Sequence, residues 1–173
     1  MIYKTKPFKH QEDAVMRFYN KPYGALFCEM GTGKTKILLD ILQNPNRTEH
    51  TLYDAIIVAP NGLHHNWALN EIPRHTVNSD VYCWKGPPTS KKRKQELVNF
   101  CNSTNTNRIF LINIEALRTK HGYQAVTQFT NTFKQNSHFI VDESTCIKNP
   151  KAIQTKNVLK LSQPAARRWI LNG

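Results

Sequence analysis

The stretch Cys28-Glu29-Met30-Gly31-Thr32-Gly33-Lys34-Thr35 decides how the rest of the chain is read. It follows the apolar run Ala25-Leu26-Phe27 and leads into Ile37-Leu38-Leu39, which predicts a strand, a glycine-bearing turn and a helix in succession. Gly31 and Gly33 let backbone N–H groups turn toward an anion, and the helix start adds its dipole. Lys34 is placed to reach the β and γ phosphates of a nucleotide and Thr35 to ligate Mg²⁺. Met30, Gly31, Thr32 and Gly33 complete the expected phosphate contacts. The strict form of this motif has glycine at the position of Cys28, so the match is to Gly-Lys-Thr with a relaxed start.

Outward from this loop, β-branched and apolar blocks recur at Gly24 to Cys28, Ala55 to Ala59, Val81 to Trp84, Ile109 to Ile112, Phe139 to Val141 and Trp169 to Leu171. Between them, helical spacing is read over His10 to Tyr19, Lys34 to Leu42, Leu63 to Ile72, Ser90 to Cys101, Tyr123 to Phe133 and Ala152 to Leu161. Apolar strands alternating with helices predict an α/β fold, a mostly parallel central sheet with helices on both faces. In such sheets ligands sit beyond the carboxyl ends of the strands. A chain of 173 residues is the size of one domain, so residues 1–173 are expected to form a single one. No internal repeat is visible. The chain stops at Trp169-Ile170-Leu171-Asn172-Gly173, directly after a core-like strand, which reads as a cut from a longer protein.

Composition narrows the class. Twenty-four Lys and Arg against 12 Asp and Glu give a formal charge of +12, which favours a polyanionic partner through counterion release. The four cysteines, Cys28, Cys83, Cys101 and Cys146, form no Cys-x-x-Cys pair, and no His spacing typical of a zinc site accompanies them, so reduced core thiols are expected. No apolar stretch approaches the ~20 residues of a membrane span, and the first residues lack an apolar signal region. A soluble intracellular protein without a membrane partner is expected, cytoplasmic or nuclear.

A second site is written at Phe139-Ile140-Val141-Asp142-Glu143, where two carboxylates follow an apolar strand. Asp142 is expected to hold Mg²⁺, directly or through water. Glu143 is expected to orient the attacking water, since phosphoryl transfer to water needs positioning and charge neutralisation more than covalent help. Lys34 and Glu143 are thus the candidate catalytic residues.

Several segments together resemble the N-terminal RecA-like lobe of superfamily-two helicases, most closely the Swi/Snf branch, and the resemblance covers nearly the whole chain. Pro7-Phe8-Lys9-His10-Gln11 is similar to the family's Q motif, which implies that Gln11 reads the adenine edge. Val58-Ala59-Pro60 with Leu63, Asn66-Trp67 and Glu71 resembles motif Ia, which faces the nucleic-acid backbone. The helix start at Pro60, Asn61 and Gly62 would offer N–H groups to a DNA phosphate, and Trp67 reads as a packing anchor. Val81 to Gly86 followed by Lys91-Lys92-Arg93-Lys94 resembles the strand and basic helix after motif Ia; Lys91, Lys92 and Arg93 are therefore candidate DNA contacts. Leu111 to Leu117 occupies the place of a further backbone contact, with Asn113 and Ile114 replacing its usual residues. Asp142-Glu143-Ser144-Thr145 matches the Asp-Glu-x-His box with Thr145 in place of His, and Ile147-Lys148-Asn149 matches a sequence common in the Swi/Snf branch. Ile170 to Gly173 resembles the start of motif III, with Asn172 for Thr.

The resemblance implies a DNA-dependent ATPase and translocase that uses ATP and Mg²⁺, contacts DNA through its backbone, and requires a second RecA-like lobe of the same parent chain for its arginine fingers. On this reading the isolated lobe is nearly inactive. The competing reading is a stand-alone nucleotide-regulated module that binds nucleic acid or protein without motor activity. A small-molecule kinase using the same phosphate loop lacks a visible acceptor site or lid, and leaves motif Ia unexplained.

Overall fold

The computed structural model describes residues 3–43 and 52–173. Strands β1 (Tyr23–Phe27), β2 (Asp54–Ala59), β3 (Ser79–Cys83), β4 (Asn107–Asn113), β5 (Ser137–Val141) and β6 (Arg167–Asn172) form one sheet in the order β1-β6-β5-β2-β4-β3. Every neighbouring pair is parallel. The expected sheet is present, and it is parallel throughout. The helices are α1 (Lys9–Phe18), α2 (Lys34–Gln43), α3 (residues 63–75), α4 (Lys91–Asn102), α5 (Lys120–Thr130) and α6 (Ile153–Ser162).

The alternation of side chains along each strand divides the core in two. From β2, Ala55 and Ile57 join α1, α2 and α3 on one face, while Ile56 and Val58 join α4, α5 and α6 on the other. In β4, Ile109 and Leu111 face the first set and Phe110 and Ile112 the second. Both faces being covered, β2 and β5 are buried along their whole length. That is why the central strands read as unbroken apolar runs rather than as alternating ones.

Local chemistry sets the ends of the helices. The Ser90 hydroxyl accepts from Arg93 N at 3.2 Å and starts α4, and the Thr119 hydroxyl accepts from Gly122 N at 3.1 Å and starts α5. The latter cap explains why α5 begins before Tyr123; the helix ends at Thr130, and Phe133 beyond it packs edge-on against Phe129 at 5.3 Å. Helix α3 runs past the expected Ile72, as Leu63–Asn66, a π turn over Trp67–Glu71, and Ile72–His75. Pro73 has no N–H to donate into the preceding turn, and the helix widens just before it. Among the described residues no helix is long and apolar enough to cross a membrane.

At the amino end of the sheet, Asp54 and Arg108 form a buried bidentate pair, Nε to Oδ1 at 2.8 Å and Nη2 to Oδ2 at 2.7 Å. Lys134 N also donates to Asp54 Oδ2 at 2.6 Å, and the guanidinium reaches Thr132 O at 2.6 Å and lies over the Phe129 ring. The pair thus ties β2, β4 and the loop before β5 together. Removing one partner strands a buried charge, so Arg108→Met is expected to lower unfolding free energy by about 3–5 kcal/mol in urea titration.

His75, at the end of α3, is buried against Thr5 Oγ1 at 2.6 Å from its Nδ1. Burial first, and then the nearby Lys36, Arg74 and Lys4 charges, push its pKa down to about 4. The unfolded chain then binds the proton more readily, so this contribution to stability is complete above about pH 6.5 and is lost as pH falls toward 4. Denaturant midpoints measured across that window are expected to fall with pH, and to fall less in His75→Gln.

Candidate nucleotide and nucleic-acid sites

The phosphate loop joins the end of β1 to α2, and both its glycines are left-handed, Gly31 at φ 81° and Gly33 at φ 82°. At Gly33 the requirement is double, because a Cβ there would collide with the Gln11 amide. Gln11 is 6% exposed; its Oε1 accepts from Phe8 N at 3.0 Å and its Nε2 donates to Thr32 O at 3.2 Å. The residue expected to read adenine therefore caps α1 and clamps the phosphate loop, with one N–H and one lone pair beyond these bonds. His10 Nε2 lies 3.1 Å from the same Thr32 carbonyl.

Lys34 Nζ donates to Cys28 O at 2.9 Å and Glu29 O at 3.2 Å, which holds the ammonium over its own loop with a third hydrogen to spare. Thr32 Oγ1 donates to Glu29 O at 2.7 Å, and Cys28 N donates to Asn172 O at 3.3 Å, tying the loop to the end of β6. Thr35 is half-buried in the first turn of α2, and Met30 stands exposed at the loop tip.

At the end of β5, Asp142 is half-buried and fixed from three directions. Its N donates to Val58 O at 2.8 Å, its Oδ1 accepts from Glu143 N at 3.1 Å, and its Oδ2 accepts from Trp67 Nε1 at 2.9 Å. Trp67, read from the sequence only as a packing anchor, is also a hydrogen-bond donor to the acidic site. No signal short of tertiary structure could have found that bond, because 75 residues separate the partners. Glu143 adopts the left-handed conformation, φ 54° and ψ 65°, which costs a non-glycine residue on the order of 1–3 kcal/mol. A 3₁₀ turn, Ser144–Ile147, follows, with Cys146 N donating to Glu143 O at 3.0 Å and Thr145 exposed.

The carboxyl ends of β2, β3 and β4 form the neighbouring stretch of the same rim. Asn61 and Gly62 are exposed, Pro60 O accepts from Leu63 N at 3.2 Å, and Gly62 is left-handed at φ 89°. Lys91 and Lys92 are exposed at the start of α4. Arg93 folds back instead, donating to Gly86 O at 3.1 Å and Pro87 O at 3.3 Å. Between the Pro60 turn and this loop lies a groove of about 660 Å³ whose lining includes Asn61, His64, His65, Lys85 and Glu115. Although the spacing of cysteine and histidine along the chain announces no zinc site, His64 and His65, which line this groove, come together with Cys83.

A protein-family model described as the SNF2-related domain matches residues 10–173. A search of curated proteins returns no match. Among solved structures, the Sulfolobus solfataricus SWI2/SNF2 ATPase core in complex with dsDNA is similar at 17% identity, with a TM-score of 0.69 over 99% of this chain. A nuclease-deletion mutant of the Type ISP restriction-modification enzyme LlaGI, in complex with a DNA substrate mimic, is similar at 14% identity, with a TM-score of 0.69 over 97% of this chain. The UvsW helicase of bacteriophage T4 is similar at 14% identity, with a TM-score of 0.64 over 96%. This chain spans 32%, 17% and 52% of those three chains respectively.

A bond to a charged acceptor is worth about 1.5–3 kcal/mol. A double-mutant cycle with Trp67→Phe and Asp142→Ala, read by urea unfolding, is expected to return a coupling energy of that size. Additive losses would show that the indole and the carboxylate act independently.

Proposed function

Since the chain belongs to the SNF2-related domain family, we propose that it is the N-terminal ATP-binding lobe of a DNA-dependent ATPase that couples Mg-ATP hydrolysis to movement along DNA. Residues 1–173 make up that lobe. The observation that carries the reading is the sharing of one rim by the left-handed phosphate loop after β1, the fixed acidic pair after β5 and the exposed Pro60 to Gly62 turn after β2. The DNA complexes of two structurally similar proteins support a DNA partner, and the exposed Lys91 and Lys92 support contact with its backbone.

The loop fits a nucleotide triphosphate. The position of a Cβ on Gly31 meets nothing within 4 Å, so its backbone stands open to an anion, and Lys34 has an uncommitted hydrogen beside it. Met30, Gly31, Thr32, Gly33 and Lys34 would hold the phosphates, Thr35 and Asp142 the Mg²⁺, and Gln11 the adenine edge through its remaining donor and acceptor. ATP supplies the phosphoanhydride and Mg²⁺ neutralises its charge. Lys34 offers positive charge toward the terminal phosphate. Glu143, held in its strained conformation, orients and polarises the water. Trp67 fixes one oxygen of the Asp142 carboxylate, which would orient it toward a bound metal.

Membership of the family supports a second RecA-like lobe in the parent protein as the source of the arginine fingers. Without such a charge, phosphoryl transfer loses ~10³-fold or more in rate. The isolated chain is therefore expected to bind a fluorescent ATP analogue with Mg²⁺ weakly, and to show almost no ATP turnover with duplex DNA present. Vigorous DNA-stimulated hydrolysis by the isolated chain would overturn the half-site reading. In the full-length parent, Lys34→Ala is expected to lower DNA-stimulated hydrolysis by about 10²-fold or more. Nucleotide-dependent DNA binding without turnover in that parent would favour the module without motor activity.

A further inference from the structure

His64 and His65, in the first turn of α3, and Cys83, the last residue of β3, bring one donor atom each to within 4.8 Å of one another. Cys83 Sγ lies 3.4 Å from His65 Nδ1, and the two imidazoles sit 4.1 Å apart between centroids with a tilt of 35°. His64 is 2% exposed, and its Nδ1 is a buried nitrogen with no hydrogen bond. Native interiors rarely leave such an atom without a partner, so an unsatisfied ring nitrogen on a histidine that clusters with a thiol and a second imidazole points to a ligand. We propose that His64, His65 and Cys83 bind a divalent metal of the Zn²⁺ class, with the fourth coordination position open to the groove beside Asn61 and Glu115.

The donor set determines the metal. Two imidazoles and a thiolate suit Zn²⁺, whereas Mg²⁺ takes oxygen ligands, so this site differs in chemistry from the one expected at Thr35 and Asp142. Tetrahedral Zn–N and Zn–S bonds place neighbouring donors about 3.3–3.8 Å apart. The Cys83 and His65 pair already has that spacing. The other separations, none above 4.8 Å, would close by side-chain movement as the metal binds. Metal binding would displace the Cys83 proton. The remaining positive charge would face Glu115, which lines the groove.

Such a metal would clip the first turn of α3 to the end of β3. The clip depends on neither nucleotide nor DNA, so its test is independent of the proposed function. The chelator-stripped, reduced chain is titrated with Co²⁺ and followed by absorption. One equivalent is expected to produce a thiolate-to-cobalt charge-transfer band and tetrahedral visible bands, displaced by stoichiometric Zn²⁺ but not by excess Mg²⁺. Cys83→Ser should abolish the charge-transfer band, and His65→Ala should weaken binding by roughly 10–100-fold or more, since even outer-shell partners of metal ligands carry that much. Cys28→Ser and Cys146→Ser should leave the titration unchanged. A Zn²⁺-dependent rise in the melting temperature of the unaltered chain, absent in Cys83→Ser, would report the same site without relying on the variant's metal spectrum. Failure of the unaltered chain to produce the sulfur band, or persistence of that band in Cys83→Ser, overturns the proposal.

Discussion

Because all six strands run parallel, each of their carboxyl ends opens on one rim of the sheet. A parallel sheet covered by helices on both faces leaves little other free backbone, so the loops at that rim carry the chemistry. The strand order sorts those loops. β1, β6 and β5 bring the phosphate loop, Asn172 and the acidic pair to one half of the rim, and β2, β4 and β3 bring Pro60, Asn113 and Trp84 to the other. At the opposite end of the sheet, the Asp54 and Arg108 pair, completed by Lys134 and Thr132, anchors β2 and β4 to the loop before β5.

Two side chains cross between parts that the chain supplies far apart. Gln11 reaches from α1 onto the Thr32 carbonyl and occupies the space that a side chain on Gly33 would need. Trp67 reaches from α3, beside the half of the rim formed by β2, β4 and β3, to Asp142 on the half formed by β1, β6 and β5. Since β2 and β5 are adjacent, a single indole spans the boundary. A shift of α3 would either carry Asp142 with it or break that bond, which is made from the first residue of the π turn.

The acidic site also holds backbone strain. Glu143 is one of two non-glycine residues with positive φ among the described residues; the other is Asn78, whose short amide side chain tolerates that region. The Glu143 conformation is held by its N–H bond to Asp142 and by the 3₁₀ turn, whose Cys146 N–H donates to its carbonyl.

Sequence alone determined the six strands, the six helices and the α/β class, because apolar blocks buried on two faces and helical spacing are local patterns. It also marked Gly31 and Gly33, whose left-handed geometry follows from the motif. The roles of Gln11 and Trp67 as clamps, the return of Arg93 onto its own loop, the left-handed Glu143 and the meeting of His64, His65 with Cys83 were decided only by tertiary structure. The physical reason is separation. A motif records which residues neighbour one another along the chain, whereas a hydrogen bond across 75 residues, or a cluster drawn from two elements, exists only after the sheet has set its strand order.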